Sequence, residues 1–269
     1  MAQIRVDGAR PDANLARAVA AIAEAAARGA RLVVLPECLD LGWTDPRARD
    51  LAEPIPGPHS DRLRRAARDH RVHVAAGLVE RAGDRLYNAA ILIDPSGRII
   101  LHHRKLNELD IALDLYAIGD RLGVVETELG TLALAICADS FPDSLAIGHV
   151  LARMGAQVIL SPCAWAVDAD HDEAGDPYGA LWLGAYSELA RLYDLTVVGV
   201  SNIGPITAGP WCGRKCIGRS LAVGPGGAVL AHAPYDAEAL TLLDVEPRQP
   251  IARGTAIAGA LRARGYRGP

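Results

Sequence analysis

The stretch Tyr87-Asn-Ala-Ala-Ile-Leu-Ile-Asp-Pro-Ser-Gly-Arg-Ile-Ile-Leu101 decides the fold class. Two apolar runs, Tyr87–Ile93 and Ile99–Leu101, flank the turn formers Asp94-Pro-Ser-Gly97, so a β-hairpin is predicted. Gly123–Glu126 and Thr131–Ile136, about a turn at Gly130, predict a second. Other segments read as strand–helix units. A short strand at Gln3–Val6 precedes a helix opening near Pro11 or Asp12, whose Leu15, Val19, Ile22 and Ala26 share one face. Gly29 closes that helix. The wholly apolar Leu32–Leu35 then reads as a strand covered on both faces. Further helices are predicted from Ser60 to about Arg68, over Ser144–Arg153 and over Pro177–Asp194. Strands are predicted at His73–Leu78, Gln157–Leu160, Thr196–Ser201, Ser220–Val223, Val229–Ala231 and Leu240–Val245. Hairpins mixed with strand–helix units do not suit a purely parallel sheet. They suit an α/β architecture of two mixed sheets packed face to face with helices outside: an α-β-β-α sandwich.

The chain has 269 residues, enough for one large domain or two small ones, and half of them are apolar. Disordered and fibrous classes are thereby excluded. No apolar run reaches the roughly 18–20 residues of a membrane helix, so no membrane partner is expected. The opening Met1-Ala-Gln-Ile-Arg-Val-Asp7 lacks the layout of a signal peptide, and a cytoplasmic location follows as the expectation. A net charge of −4 gives no electrostatic reason to expect nucleic acid. Lys105 and Lys215 are the only lysines among 28 basic residues, which draws attention to both, since lysine can release a proton and arginine cannot. The five cysteines are odd in number and widely spaced, which argues against a disulfide framework. Cys212 and Cys216 have a permissible zinc spacing, but no second close Cys/His pair accompanies them, and His171 or Cys163 would have to come from afar. No metal site is expected.

Three residues stand where chemistry would be placed. Cys137 ends the apolar run Thr131–Ile136 just before a helix that Ser144 can cap; a helix start lowers a thiol pKa and stabilises an oxyanion. A small buried core residue is the equal alternative. Glu37 lies past Leu32–Leu35 and Pro36, where a partly dry carboxylate can act as a base, or is simply a loop acid. Lys105, in His102-His-Arg-Lys105, follows Ile99–Leu101 and otherwise reads as a solvated basic turn.

Taken in order, Leu32-Val-Val-Leu-Pro-Glu37, His103-Arg-Lys105 and Ala135-Ile-Cys137 resemble the nitrilase superfamily of carbon–nitrogen hydrolases, in its amidase-like branch. Asn14-Leu-Ala-Arg17 with Gly29–Glu37, Tyr87-Asn88-Ala through Gly97, and Gly218-Arg-Ser220 through Gly227 extend the likeness over residues 3–246. The resemblance implies a single domain over 1–269, whose Arg- and Gly-rich tail, 247–269, packs on a neighbouring subunit or lies loose. It implies Cys137 as nucleophile, Glu37 as base, and Lys105 with the backbone N–H after the cysteine, that of Ala138, as oxyanion donors. A second acid is implied between Lys105 and Cys137; Asp114 stands closest to its position, with Glu108 in reserve. Trp43, Trp165, His171, Tyr178 and Trp182 resemble substrate-facing positions, though aromatic core packing is the commoner fate. Asn202 ends an apolar strand and either positions a substrate or caps a turn.

The implied reaction is hydrolysis of a small amide or carbamoyl compound, releasing ammonia or an amine, without metal or organic cofactor. An acyltransferase using the same thioester is the rival, then a nitrile-hydrolysing enzyme, then a non-catalytic binding protein on the same fold. Cys137-Ala-Asp139 departs from the nitrilase-like Cys-Trp-Glu. Ala138-Asp-Ser-Phe141 offers no arginine for a substrate carboxylate, and Asp139 and Asp143 would repel one if they faced it at the mouth. Arg214 or Arg219 would be the alternative cation. The expected substrate is therefore a small primary amide or a carbamoyl-amine, and the expected assembly a homo-oligomer packed through helices near the catalytic loops.

Overall fold

The computed structural model describes residues 1–251 and 254–268. Leu32–Val34, His73–Ala82, Arg85–Ile93 and Ile99–Arg104 form one sheet in that order; its first pair is parallel and the others antiparallel. The second sheet has six strands, in the order Val229–His232, Leu221–Val223, Thr196–Ser201, Val158–Cys163, Gly130–Leu134 and Val124–Thr127. Its three central strands are parallel. Three short strands, Ile203–Pro205, Lys215–Ile217 and Ala166–Val167, make a small accessory sheet.

Alternation along the strands explains the layering. Val33, Leu35, Val74, Ala76, Leu78, Ile91 and Ile93 face the helices Pro11–Ala27 and Pro58–His70. Their neighbours Val34, Ala75, Ala90 and Leu92 face the other way, into a core shared with Leu132, Leu134, Val158 and Leu160 of the second sheet. Leu145–Met154 and Ala180–Tyr193 contribute Leu151, Trp182, Ala185 and Leu189 to that core from outside the second sheet. The molecule is thus the α-β-β-α sandwich predicted from the hairpins.

Both predicted hairpins form. Leu92 pairs with Leu101 across the first turn, where Asp94 Oδ1 accepts from the backbone N–H groups of Ser96 and Arg98 at 2.9 and 3.0 Å. Thr127 pairs with Gly130 across the second. The tail from residue 247 contains one helix. Ala252, Arg253 and Pro269 lie outside the described residues, but Ala256–Ala263 is a helix that buries Ile257 and Leu261 against this chain's own core. Arg264 Nη1 donates to Leu192 O at 3.0 Å, and Tyr266 lies 5.0 Å from the His149 ring. Only two apolar residues of that helix anchor it, a signal too sparse to stand out in an Arg- and Gly-rich segment.

Candidate active site

Three strand ends converge. The extended chain past Leu32–Val34 is stitched to its neighbour by Leu35 N to Ala75 O (2.8 Å) and Gly77 N to Pro36 O (2.9 Å). Gly77 is required there: a Cβ would lie 2.5 Å from Glu37 Cα and 2.8 Å from Pro36 O. Glu37 N then donates to Cys163 O at 3.2 Å, bridging the two sheets at this end. Lys105 follows Ile99–Arg104 and is fixed by its N–H to Asn88 O at 2.8 Å. Cys137 leaves the strand Gly130–Leu134 at the start of a 3-10 turn over Cys137–Ser140. Its φ of +44° lies in the left-handed region that non-glycine residues rarely adopt, a form of strain that clusters at functional sites.

Glu37 and Lys105 are each 1% exposed, and Cys137 is 9% exposed. Lys105 Nζ donates to Glu37 Oε1 at 2.7 Å, and Asn88 Nδ2 donates to the same oxygen at 2.6 Å. Glu108 Oε2 lies 3.8 Å from Lys105 Nζ. Glu37 Oε2 and both oxygens of Glu108 are buried without a hydrogen-bond partner. Burial alone would push the Lys105 ammonium down, but the charges of Glu37, Glu108 and Cys137 outweigh it and raise it well above the ordinary lysine value. Burial pushes Glu108 up to about 7, against the pull of Lys105 and with the help of Glu37 and Asp139. Burial likewise raises the Cys137 thiol, with Cys163 and Glu37 adding to it and Lys105 opposing.

Of the two acids weighed for that position, Glu108 is the one that lies beside Lys105, and Asp114 does not. Asp114 is exposed on the following loop, where its backbone carbonyl accepts from Arg49. The 3-10 turn at Asp110–Ala112 carries it away from Lys105, whereas Glu108 is only three residues on and still faces inward. Trp43 is buried with its ring 6.0 Å from Lys105 Nζ. Trp165 is buried and stacks on Trp182 at 4.9 Å, which in turn stacks on Phe141 at 5.0 Å. The Trp43 and Trp165 indole N–H groups and Asn202 Oδ1 are buried without partners. Burial, then the charge of Cys137, raises the Tyr178 phenol. Ala138 is buried, its carbonyl accepting from Asn107 Nδ2 at 2.7 Å and Ser144 Oγ at 2.6 Å.

His171 belongs to a different cluster. Its Nε2 is 3.5 Å from Glu173, which also receives Arg219 Nε at 2.7 Å. Arg214 pairs with Asp168 at 2.9 Å and lies over the Trp211 ring at 4.3 Å. Both arginines that would supply a cation are thus already engaged by acids. Asp139 requires a further correction: it does not line the mouth but is fully buried beneath the cysteine turn, bonded to His103. Asp143 is exposed. The roles of Asn88 and His103 were missed, although both sit inside quoted motifs; their side chains alternate to the inner face of strands whose inner positions elsewhere are apolar. Among the described residues, no three His, Cys, Asp or Glu side chains group as metal ligands.

A thiol on a strained turn, beside a buried carboxylate–ammonium pair, is the equipment of nucleophilic acyl chemistry. Residues 1–249 match the carbon–nitrogen hydrolase family. The chain belongs to that family, in the amidase-like branch of the nitrilase superfamily, and is an amidohydrolase acting on carbon–nitrogen bonds other than peptide bonds. It is 32% identical over 243 residues to a protein of Pyrococcus abyssi called nitrilase, covering 88% of this chain and 84% of that one. Its likeness to the omega-amidase NIT2 of Bos taurus is 30% over 173 residues, 61% of this chain and 62% of the relative. In fold it is similar to the amidase of Nesterenkonia sp. AN1, with a TM-score of 0.78 at 22% identity over 98% of this chain and 92% of that one.

Proposed function

We propose that Cys137 is the nucleophile of an amidase that hydrolyses a small, uncharged amide or carbamoyl compound. Glu37 takes the thiol proton as sulfur attacks the carbonyl carbon. Lys105 Nζ and the Ala138 N–H stabilise the resulting oxyanion. Collapse breaks the C–N bond, and Glu37 returns the proton to the departing nitrogen, leaving a thioester on Cys137. Water, deprotonated by Glu37, attacks the thioester and releases the acid and the thiol. The observation that carries this reading is the 2.7 Å Lys105–Glu37 pair, fully buried next to a cysteine on a left-handed turn. The Nesterenkonia amidase, in one mutant, has the acetamide moiety of fluoroacetamide added covalently at its active site cysteine, which favours the same role for Cys137.

Two observations favour an uncharged substrate. Arg214 and Arg219 are neutralised by Asp168 and Glu173, so a carboxylate finds no free cation there. Asp139 is turned inward, which leaves only the exposed Asp143 of the two acids that would favour an amine-bearing one. The reading includes a homo-oligomer, supported by the exposed Val150, Leu181 and Leu183 on the two helices outside the second sheet. It includes a cytoplasmic site of action, which five free cysteines suit. Ammonia release from neutral amides, nitriles and N-carbamoyl amino acids, compared as kcat/KM, is the test. A nitrile or carbamoyl acid preferred by tenfold, about 1.4 kcal/mol, would overturn the substrate class. A thioester that passes its acyl group to amines but not to water would make the enzyme an acyltransferase.

A further inference from the structure

We infer that Asp139 is a positioning residue whose buried carboxylate sets the Lys105 segment in register with the Cys137 turn. The inference rests on the functional reading above, in which those two residues act together.

Asp139 is 0% exposed, and its two oxygens receive four donors. Oδ1 accepts from Leu106 N at 3.0 Å and Asn107 N at 2.8 Å. Oδ2 accepts from His103 Nε2 at 2.8 Å and Ile136 N at 2.9 Å. A carboxylate has about four lone-pair sites, so this one is saturated. The donors come from two places. His103, Leu106 and Asn107 bracket Lys105 at the edge of the first sheet, whereas Ile136 immediately precedes Cys137 in the second. Asn107 Nδ2 adds a bond in the reverse sense, to Ala138 O at 2.7 Å.

No other acidic side chain joins these two segments in this way among the described residues. The Asp139–Ile136 bond also closes the loop around Cys137, whose left-handed φ needs outside support. Burial would raise the Asp139 carboxyl, but His103 and the backbone donors outweigh it and hold it below the ordinary value, so it stays an acceptor. Asp139 has no free lone pair for substrate. Its effect on the reaction runs through the placement of Lys105 and Cys137, and misplacement of about 1 Å can cost a hundredfold.

Asp139→Asn tests this. The amide keeps the size but turns an NH₂ toward backbone N–H donors, so one or two of the four bonds are lost. We expect kcat on a neutral amide to fall about a hundredfold with KM changed less than about threefold. The rate of Cys137 alkylation by iodoacetamide, followed against pH, should shift its midpoint upward as Lys105 loses its place beside the thiolate. Leu132→Ala, a core change far along the same strand, serves as the stability control: with an equal or larger loss of Tm it should keep kcat within about threefold. Should Asp139→Asn not fold, Asn107→Ala removes one tie between the same segments and should move both readouts in the same direction, by about tenfold in kcat. Wild-type kcat and an unshifted alkylation profile in Asp139→Asn, or in Asn107→Ala if it is the one that folds, would overturn the inference; so would a Leu132→Ala enzyme that reproduces the loss. Wild-type enzyme that hydrolyses no amide would instead overturn the functional reading, and alkylation, which needs no substrate, would still decide the role of Asp139.

Discussion

Two clusters of buried charge lie side by side at the sheet ends, and they differ in how well they are satisfied. Asp139 has four donors for its two oxygens. Glu37, Lys105 and Glu108 are as deeply buried, yet three of their four carboxylate oxygens have no hydrogen-bond partner. A buried polar group left unpaired is costly, of order 1–3 kcal/mol each, and more when charged. A saturated carboxylate has nothing left to offer a reaction, while an unsaturated one has a lone pair for a thiol proton or a departing nitrogen. In the proposed reaction the satisfied cluster is scaffold, and the unsatisfied one carries the chemistry. The contrast also places two acids: Asp139 is buried, and Glu108, not Asp114, lies beside Lys105.

The largest effect expected is at the centre of the unsatisfied cluster. Cys137→Ala should reduce amide hydrolysis to background, and intact mass spectrometry should detect an acyl adduct on the wild-type protein alone. A variant that still turned over would show that the cluster only packs. Lys105→Arg should come next. Arginine keeps the charge but spreads it over a plane that needs more room than a fully buried ammonium site provides. We expect a normal fold by circular dichroism and a loss of at least about a hundredfold in kcat, the scale of one oxyanion donor. Near wild-type turnover would break the distinction between the two clusters.

Much of this arrangement is legible in the sequence, and the limits have physical causes. Glu37, Lys105 and Cys137 each follow a strand-like segment, which leaves a plain alternative open for every one of them; it is their order within motifs resembling the nitrilase superfamily that singles them out. The hairpin at Asp94–Gly97 is legible because its turn chemistry is local. Asp139 was misplaced because a turn does not reveal which way its side chains face; that depends on donors 32 and 36 residues earlier, at Asn107 and His103. Glu108 and Asp114 could not be separated by spacing, since a single 3-10 turn decides which of them faces Lys105. The tail helix depended on a tertiary groove that no local pattern describes.

Glu108 supplies a test of what its unsatisfied oxygens cost. Its carboxyl is raised from the ordinary 4.5 to about 7, chiefly by burial. Between those values the folded protein binds a proton that the unfolded chain releases. Stability from this group is therefore fully present below about pH 4.5 and is lost as pH rises toward and through 7, by at most about 3 kcal/mol. Glu108→Gln cannot ionise and escapes that loss. Its Tm relative to wild type should rise between pH 5 and pH 8, a shift that thermal unfolding at a series of pH values would detect. A Tm difference independent of pH would mean that Glu108 is already ionised at pH 5 and well paired, which would blur the line between the two clusters.

The smallest effect is expected at Asp114, and its smallness sharpens the assignment of Glu108. Asp114 is exposed, and the contact it makes to Arg49 uses its backbone carbonyl, which any residue supplies. Replacing its carboxylate with an amide removes one solvated charge and no hydrogen bond among the described contacts. Surface changes of this kind usually stay within about 0.5 kcal/mol. Asp114→Asn should leave kcat/KM within about twofold of wild type and Tm within about 2 °C. A loss of tenfold or more on a neutral amide would need the loop to carry Asp114 inward when substrate binds, and the second acid would then be Asp114 after all. Because Glu108→Gln and Asp114→Asn both exchange one carboxylate for an amide of the same shape, their kinetics can be compared directly, and only the buried one should matter.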